Sequence, residues 1–488
     1  MSSAVLRILE RFIVIIFFMV AGILVGLNVF VTRGHHSISS EYPMYFKLIT
    51  IIISLLFIAG LFTLRQHIVR LLEKIPVTFW VAGFLGFSVI LQLVVVKLFA
   101  VRPSWDFGAL INGARLYLDS GEVSAYFSIY PNNIFLFCLL VVIGKVLTPS
   151  VIIYLLFNIF IITISQYLIF SIARKVAGQS IAMVTLAVSV LFFPYIFFAP
   201  VVYTDTISLV FLLLPLNMLL DKDGEFKSGL PNILGAAVIF AFGMLLKGSL
   251  IIFIIAFAIT LFFYMKGWKK AYVLLPFVVL IIVKTIFNSA LYQLEILDER
   301  QLQQTSFPVS HWLVMAQNGE RFGKYSGDDV EWTKQLLANN PRDQVSEIHY
   351  QELRDRVEEK GLYGNLAFNL EKLKHTWTDG TYYSLNKIKR NPVEPENITS
   401  LLDYKSGDLL QGYARVQHLI LIIGLLFAAS LLKEKRSFVM FCMLAIVGYF
   451  LFFLLWETRS RYLVSVTPLI ILLSCMGYFK IRIRRFIG

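Results

Sequence analysis

Long apolar runs, separated by short polar or basic interruptions, fill most of the chain. Runs at 12–31, 44–64, 77–100, 151–172, 181–198, 206–220, 232–246, 249–265, 272–288, 414–432, 438–455 and 462–479 reach or approach the ~18 residues a helix needs to span a bilayer. One further run, 134–147, is apolar but short, and it decides the topology. Counted as a full span, it puts Arg174 and Lys175 outside and Asp205 inside. Counted as a juxtamembrane or half-inserted helix, it leaves twelve spans with both termini cytoplasmic. In that second arrangement Arg7, Arg11, Arg65, Arg70, Lys74, Arg174, Lys175, Lys222, Lys227, Lys266, Lys269, Lys270, Lys433, Lys435, Arg436, Lys480, Arg482, Arg484 and Arg485 fall inside. Short outside connections keep only Arg33, Arg102, Arg115, Lys247, Arg459 and Arg461, with Lys145 open to either side on the short helix. Basic residues near short loops collect on the cytoplasmic side, so the pattern predicts the second arrangement.

Under this topology four short polar places share the outside face: 101–133, 202–205, the tight turn at 247–248, and 457–461. A fifth, 289–412, is far longer than the ~15 residues at which structureless connections become uncommon. It contains Trp312, Trp332 and Trp377 and turn signals at Asn340-Pro341 and Asn391-Pro392. Within it 344–359 reads as a charged helix and 362–377 has amphipathic spacing. The expected organisation is a transmembrane module over 1–288 carrying the outside loop 101–133, an extracytoplasmic soluble domain over 289–412, and closing helices over 413–488. The fold class is an all-α polytopic membrane protein, with about twelve spanning helices, juxtamembrane helices and one small extracytoplasmic domain.

Composition agrees. Of 488 residues, 58% are hydrophobic and 15% charged, against about a quarter charged in soluble proteins, and mean hydropathy is +0.74. The net charge of +13 is explained by cytoplasmic loops, so no nucleic-acid partner is implied. Cys138, Cys442 and Cys475 lie in apolar runs without metal spacing and read as packing residues. The first apolar run is long for a signal peptide and lacks a clear small-residue cleavage site, so it reads as a retained helix.

Five groups of residues carry candidate chemistry. Asp106, in Ser-Trp-Asp-Phe-Gly, follows an apolar run by a few residues, where an ionisable group is expensive unless used. Its structural alternative is an N-cap for a helix over 107–118. Trp105, Tyr126, Tyr130, Asn132 and Asn133 bring aromatics, hydroxyls and amides that suit sugar hydroxyls, although aromatics also form interfacial belts. Asp205, in Pro-Val-Val-Tyr203-Thr-Asp, is a second outside carboxylate near a helix start. The two can share roles, one taking the acceptor proton and the other orienting a substrate or a divalent cation such as Mg or Mn. Lys247 interrupts an otherwise apolar run where a neutral turn would cost less, and Arg459, Arg461 and Tyr462 form a cationic cluster suited to phosphate oxygens. His311-Trp312 is a weaker candidate for a site in the soluble domain.

Asp106 after an outward-going helix, Asp205 about a hundred residues later, and Arg461-Tyr462 near a late outside loop resemble the GT-C superfamily of integral-membrane glycosyltransferases. That group includes the protein mannosyltransferases and the aminoarabinose transferase that modifies lipid A. The resemblance implies a polyprenyl-phosphate-linked sugar as donor, a glycan or lipid acceptor, and transfer with inversion on the non-cytoplasmic side. It casts Asp106 as general base, Asp205 as the second acidic residue, and Arg459, Arg461 and Tyr462 as the late basic motif near the donor phosphate; Lys247 joins them by its own position, where a lipid phosphate could lie. Protein mannosyltransferases carry an adjacent Asp-Glu pair where this chain has Phe107 after Asp106, which weakens the case for a metal and for a protein acceptor.

A lipid-linked-saccharide flippase or other transporter is the alternative, with Asp106, Asp205 and Lys247 along a substrate path. It predicts related halves and midplane charges, whereas these charges cluster at one surface. A non-catalytic scaffold leaves them unexplained. The expected location is a bacterial plasma membrane, with cell-wall polysaccharide, teichoic acid or lipid as acceptor.

Overall fold

A computed structural model describes residues 3–31, 42–431 and 436–480. The predicted locations of Arg33, Lys433, Lys435, Arg482, Arg484 and Arg485 lie outside the described residues. Among those described, every regular element is helical, and extended pairing is limited to two isolated bridges, Val101 with Pro392 and Leu220 with Phe226.

The chain begins with α1 (Ser3–Phe30), α2 (Met44–Leu72) and α3 (Val77–Leu98). The polar stretch after them folds as α4 (Trp105–Ser120), α5 (Tyr126–Ile129) and a 3-10 turn, Pro131–Asn133, that runs directly into α6 (Ile134–Val146). Then come α7 (Val151–Ala177), α8 (Gln179–Val190), α9 (Phe193–Phe197), α10 (Thr204–Leu219), α11 (Leu230–Leu246), α12 (Ile251–Tyr264) and α13 (Leu275–Gln293). The long polar segment holds α14 (Glu299–Thr305), α15 (Val309–Met315), α16 (Gly327–Asn339), α17 (Arg342–Trp377), α18 (Ser384–Ile388) and α19 (Pro395–Leu402). Apolar helices α20 (Lys405–Gly424), α21 (Arg436–Leu455) and α22 (Thr467–Lys480) follow.

Among the described residues, eight helices are long and apolar enough to cross a membrane, and five shorter apolar helices accompany them. At 13 residues, α6 extends about 20 Å, short of the ~30 Å hydrocarbon core. The apolar run 181–198 is not one helix. α8 stops at Val190, and Pro194, which has no N–H to donate, opens the short α9. The polar segment is also narrower than the sequence suggests. α13 continues to Gln293 and α20 starts at Lys405, nine residues before the apolar run that marks it. Within α17 the charged and amphipathic stretches are two helices separated at Gly361, whose φ of 60° and ψ of −176° suit a residue without a Cβ.

The core centres on α22, almost wholly buried, with α8, α20 and α21 beside it; α2, α3 and α13 turn most of their apolar side chains outward. Small residues let α20 approach α22 closely. A Cβ at Gly424 would lie 2.5 Å from that of Ser474, and one at Gly477 2.9 Å from the Gly424 carbonyl.

Two devices place the polar loops. Buried Asn158 on α7 donates its Nδ2 to the carbonyls of Phe198, Ala199 and Val201 (3.0, 3.1 and 3.2 Å), and its Oδ1 accepts from Thr206 Oγ1 (2.6 Å). Irregular backbone inside an apolar bundle must find such partners, and this one fixes the entry to α10. Residues 391–393 run alongside 100–102, with Arg102 N donating to Asn391 O (2.9 Å) and Val393 N to Ala100 O (2.8 Å). The end of the polar segment is thereby held against the start of α4.

Candidate functional site

Asp106 sits in the first turn of α4, one residue after Trp105, whose φ of +48° is unusual for a side-chain-bearing residue. It is not the N-cap: Ser104 takes that position, and the helix starts at Trp105. The Asp106 carboxylate instead accepts from two phenols, Tyr126 OH at Oδ1 (2.9 Å) and Tyr203 OH at Oδ2 (3.1 Å). Asn133 closes the ring, with Nδ2 donating to Tyr126 OH (2.5 Å) and Oδ1 lying 3.4 Å from Tyr203 OH. Burial, followed by the Asp106 charge, pushes the Tyr126 phenol far above its ordinary pKa, so it stays a donor. No cation lies within ion-pair distance of Asp106 among the described residues.

Asp205 has a different environment. It lies in the first turn of α10, 2% exposed, with Lys247 Nζ 2.7 Å from Oδ1 and Arg461 Nη1 3.3 Å from Oδ2. Lys247 leaves the end of α11, and Arg461 belongs to the 3-10 segment Ser460–Val466 that opens α22. Lys247 Nζ also donates to Ser465 Oγ (3.1 Å), which is 2.7 Å from Ser208 Oγ on α10. Lys247 is thus more than a turn residue. Removing one partner of such a buried pair generally costs about 3–5 kcal/mol, because the other charge is stranded.

Aromatic rings join the two carboxylate environments. The Arg461 guanidinium lies 4.9 Å from the rings of Tyr203 and Tyr462 and 5.8 Å from Trp105. Tyr462 OH donates to Glu457 Oε2 (2.7 Å), and Lys247 lies 5.5 Å over its ring. Arg459 turns the other way, donating to Tyr383 OH (2.6 Å), with Glu457 3.9 Å from its Nε.

The polar segment contributes residues that the sequence reading missed. Lys387 on α18 is 3% exposed, and its Nζ sits 3.2 Å from the centre of the Trp105 ring. Burial, and then repulsion from Arg461, hold its pKa well below that of an ordinary lysine. Asp379 takes Ser460 Oγ (2.7 Å) on one carboxylate oxygen and the Tyr383 N–H (2.8 Å) on the same oxygen. Buried Lys372 donates to three carbonyls at 3.0 Å, those of Ala316, Leu454 and Trp456. The loop carrying Arg459 and Arg461 is therefore tied to the polar segment on both sides. Lys387 gave no local signal, lying in an ordinary basic run, Lys387-Ile-Lys389-Arg390.

Three predicted positions fall elsewhere. His311 and Trp312 do not face Asp106. His311 is fully buried, with Nδ1 2.7 Å from Thr333 Oγ1 and its ring 4.4 Å from Phe307, which packs on Tyr130. Burial pushes His311 down to about 3 and His349, on the same threonine, down to about 4. They are neutral packing residues that support Tyr130, itself 5.1 Å from Tyr126 between ring centres. Asn132 is exposed on the 3-10 turn, outside the ring that Asn133 closes.

As a metal ligand Asp205 is poor, since both oxygens already face cations; Asp106 is the better of the two. No group of three His, Cys, Asp or Glu side chains gathers among the described residues.

A family model described as conserved hypothetical integral membrane protein matches residues 1–480. The solved structures to which this chain is similar include the following three. One is the oligosaccharyltransferase of Archaeoglobus fulgidus in its apo form, at 11% identity and TM-score 0.41, covering 81% of this chain and 50% of that one. The second is that organism's oligosaccharyltransferase AglB with an inhibitory peptide and a dolichol-phosphate, at 12% identity and TM-score 0.39, with the same 81% and 50% coverage. The third is ArnT from Cupriavidus metallidurans bound to undecaprenyl phosphate, at 12% identity and TM-score 0.36, covering 82% of this chain and 78% of that one. The chain spans about half the length of the archaeal enzyme. No curated protein matches the sequence.

Proposed function

We propose that this chain, which belongs to the family of conserved hypothetical integral membrane proteins, is a membrane glycosyltransferase. It would move a sugar from a polyprenyl-phosphate donor to an extracytoplasmic acceptor: a cell-wall polysaccharide, teichoic acid or lipid. One observation carries the reading. A carboxylate without a counter-cation, Asp106, stands next to a buried group of cations at the edge of an apolar bundle, with an aromatic wall shared between them.

Each part then has a physical task. An acceptor hydroxyl has a high pKa and needs a base as its oxygen bonds to the sugar. Asp106 is that base, because Asp205 is committed to Lys247 and Arg461. The phenols of Tyr126 and Tyr203 aim the Asp106 carboxylate. Transfer leaves an additional negative charge on the departing phosphate, which fixed cations in a low-dielectric site stabilise. Asp205 keeps Lys247 and Arg461 charged and in place while the site is empty. Tyr203, Trp105 and Tyr462 form the wall against which a sugar ring can lie. The extracytoplasmic placement of 289–412, with both termini cytoplasmic, accompanies this reading.

The test is reconstitution of the full chain in liposomes with radiolabelled polyprenyl-phosphate sugars and cell-envelope acceptors. Wild type should pass label to acceptor, and Asp106→Asn should lower turnover by about 10²–10⁴-fold while remaining folded. Full turnover by Asp106→Asn would remove Asp106 from the chemistry.

A further inference from the structure

We propose that Lys387, Trp105 and Arg461 form a phosphate-binding site that takes the departing phosphate of the donor, with Lys387 as its principal cation. The proposal rests on the transferase reading and adds to it a group delivered by the polar segment.

The cations of the cluster are not equivalent. Lys247 is committed to Asp205, Arg461 donates one guanidinium nitrogen to it, and Arg459 is occupied by Tyr383 and Glu457. Lys387 is buried, with no hydrogen bond and no carboxylate within ion-pair distance among the described residues; its contact is the Trp105 ring face. An ammonium has three N–H donors. A cation–π contact returns less than the burial of an ammonium costs. A lysine is retained in such a place when something else completes its shell.

Its neighbours lack the same thing. Among the described residues, Trp105 Nε1 and Arg461 Nε are both buried donors without an acceptor, and buried donors without partners are rare. Arg461 lies 5.8 Å from the Trp105 ring on which Lys387 rests 3.2 Å away, so all three are grouped around one indole. Three unmatched donors, two of them cationic, call for a ligand made only of acceptor oxygens and carrying negative charge. A phosphate meets that description; a neutral sugar hydroxyl does not. The positive φ of Trp105 is consistent with a backbone held in a costly shape to present this ring beside Asp106.

The charge balance agrees. The donor phosphodiester carries one negative charge. The bond between the anomeric carbon and the phosphate oxygen breaks with its electron pair going to that oxygen, giving a phosphate dianion. The bond from acceptor oxygen to anomeric carbon forms, and the acceptor proton passes to Asp106. The new charge appears beside Lys387, whose pKa, depressed in the empty site, is restored by it.

The experiment measures binding and transfer separately. Full-length protein in nanodiscs is titrated with undecaprenyl phosphate, with phosphatidylglycerol as the diester control. Lys387→Met should weaken undecaprenyl phosphate binding by about 10- to 100-fold, Lys387→Arg should restore most of it, and Trp105→Phe, which keeps a ring but loses Nε1, should weaken it by about fivefold. Phosphatidylglycerol binding should not change. Wild-type affinity in Lys387→Met overturns the proposal; should that variant misfold, undiminished affinity in Trp105→Phe does so. If the wild type binds undecaprenyl phosphate through Lys387 but transfers no sugar, this site stands and the transferase reading falls. If the wild type transfers sugar and Lys387→Met matches it in both measurements, the reverse holds.

Discussion

Asp106 and Asp205 occupy equivalent places along the chain and opposite places in its chemistry. Each follows an aromatic-bearing polar turn and lies in the first turn of a helix. Asp106 is held by two phenols and has no cation in contact among the described residues; Asp205 is closed in by a lysine and an arginine. A carboxylate held only by neutral phenols has room to meet a substrate hydroxyl, whereas one clamped between two cations holds structure together. Local sequence says where an acid stands at a membrane edge. Only its partners, which come from residues up to 256 positions away, say what it is for.

The sharpest way to break this contrast is to remove each acid in turn. Asp106→Asn should abolish transfer with little change in thermal unfolding. Asp205→Asn should do the converse first: it strands Lys247 and Arg461, costs about 3–5 kcal/mol, and should show as a large drop in melting temperature of the solubilised protein. If both variants lost activity and kept full stability, the division of roles would be wrong. Tyr126→Phe is a finer cut. It deletes one hydrogen bond to a charged acceptor, worth about 1.5–3 kcal/mol, so turnover should fall about tenfold or more, while Tyr130→Phe, whose hydroxyl is not in the ring, should change little. The smallest effect concerns the polar segment. His311 and His349 titrate near 6.5 when unfolded but stay neutral to about 3 and about 4 when folded. Below pH 6.5 the unfolded chain therefore binds protons that the native state refuses, and stability declines as pH falls towards 4. Melting temperature measured from pH 7 to 5 should fall, and His349→Gln should flatten that fall.

Most of the helical plan was legible because apolar periodicity is strong and spans are long. The edges at 77, 151 and 455, for instance, match α3, α7 and α21. The run 181–198 misled because hydropathy does not register the turn before Pro194. In the site, Asp106, Asp205, Lys247 and Arg461 stood out as charges where charge is costly, and the structure brings them to one place. Lys387 did not, because a lysine in a polar, basic stretch is unremarkable until 391–393 lies down along 100–102. Asn158 was readable in principle as an amide within an apolar run. His311 and Trp312 were over-read: aromatic and titratable residues in a small domain are more often its core.

The three carbonyls around the Lys372 ammonium belong to two separate stretches, one within the polar segment and one at the end of α21. Any attempt to graft a foreign version of that segment onto this bundle, or to delete it for crystallisation, would unhook the strand of backbone that presents Arg459 and Arg461. Bundle and segment are therefore one mechanical unit, and replacing the segment alone should cost the protein thermal stability as well as the placement of those two arginines.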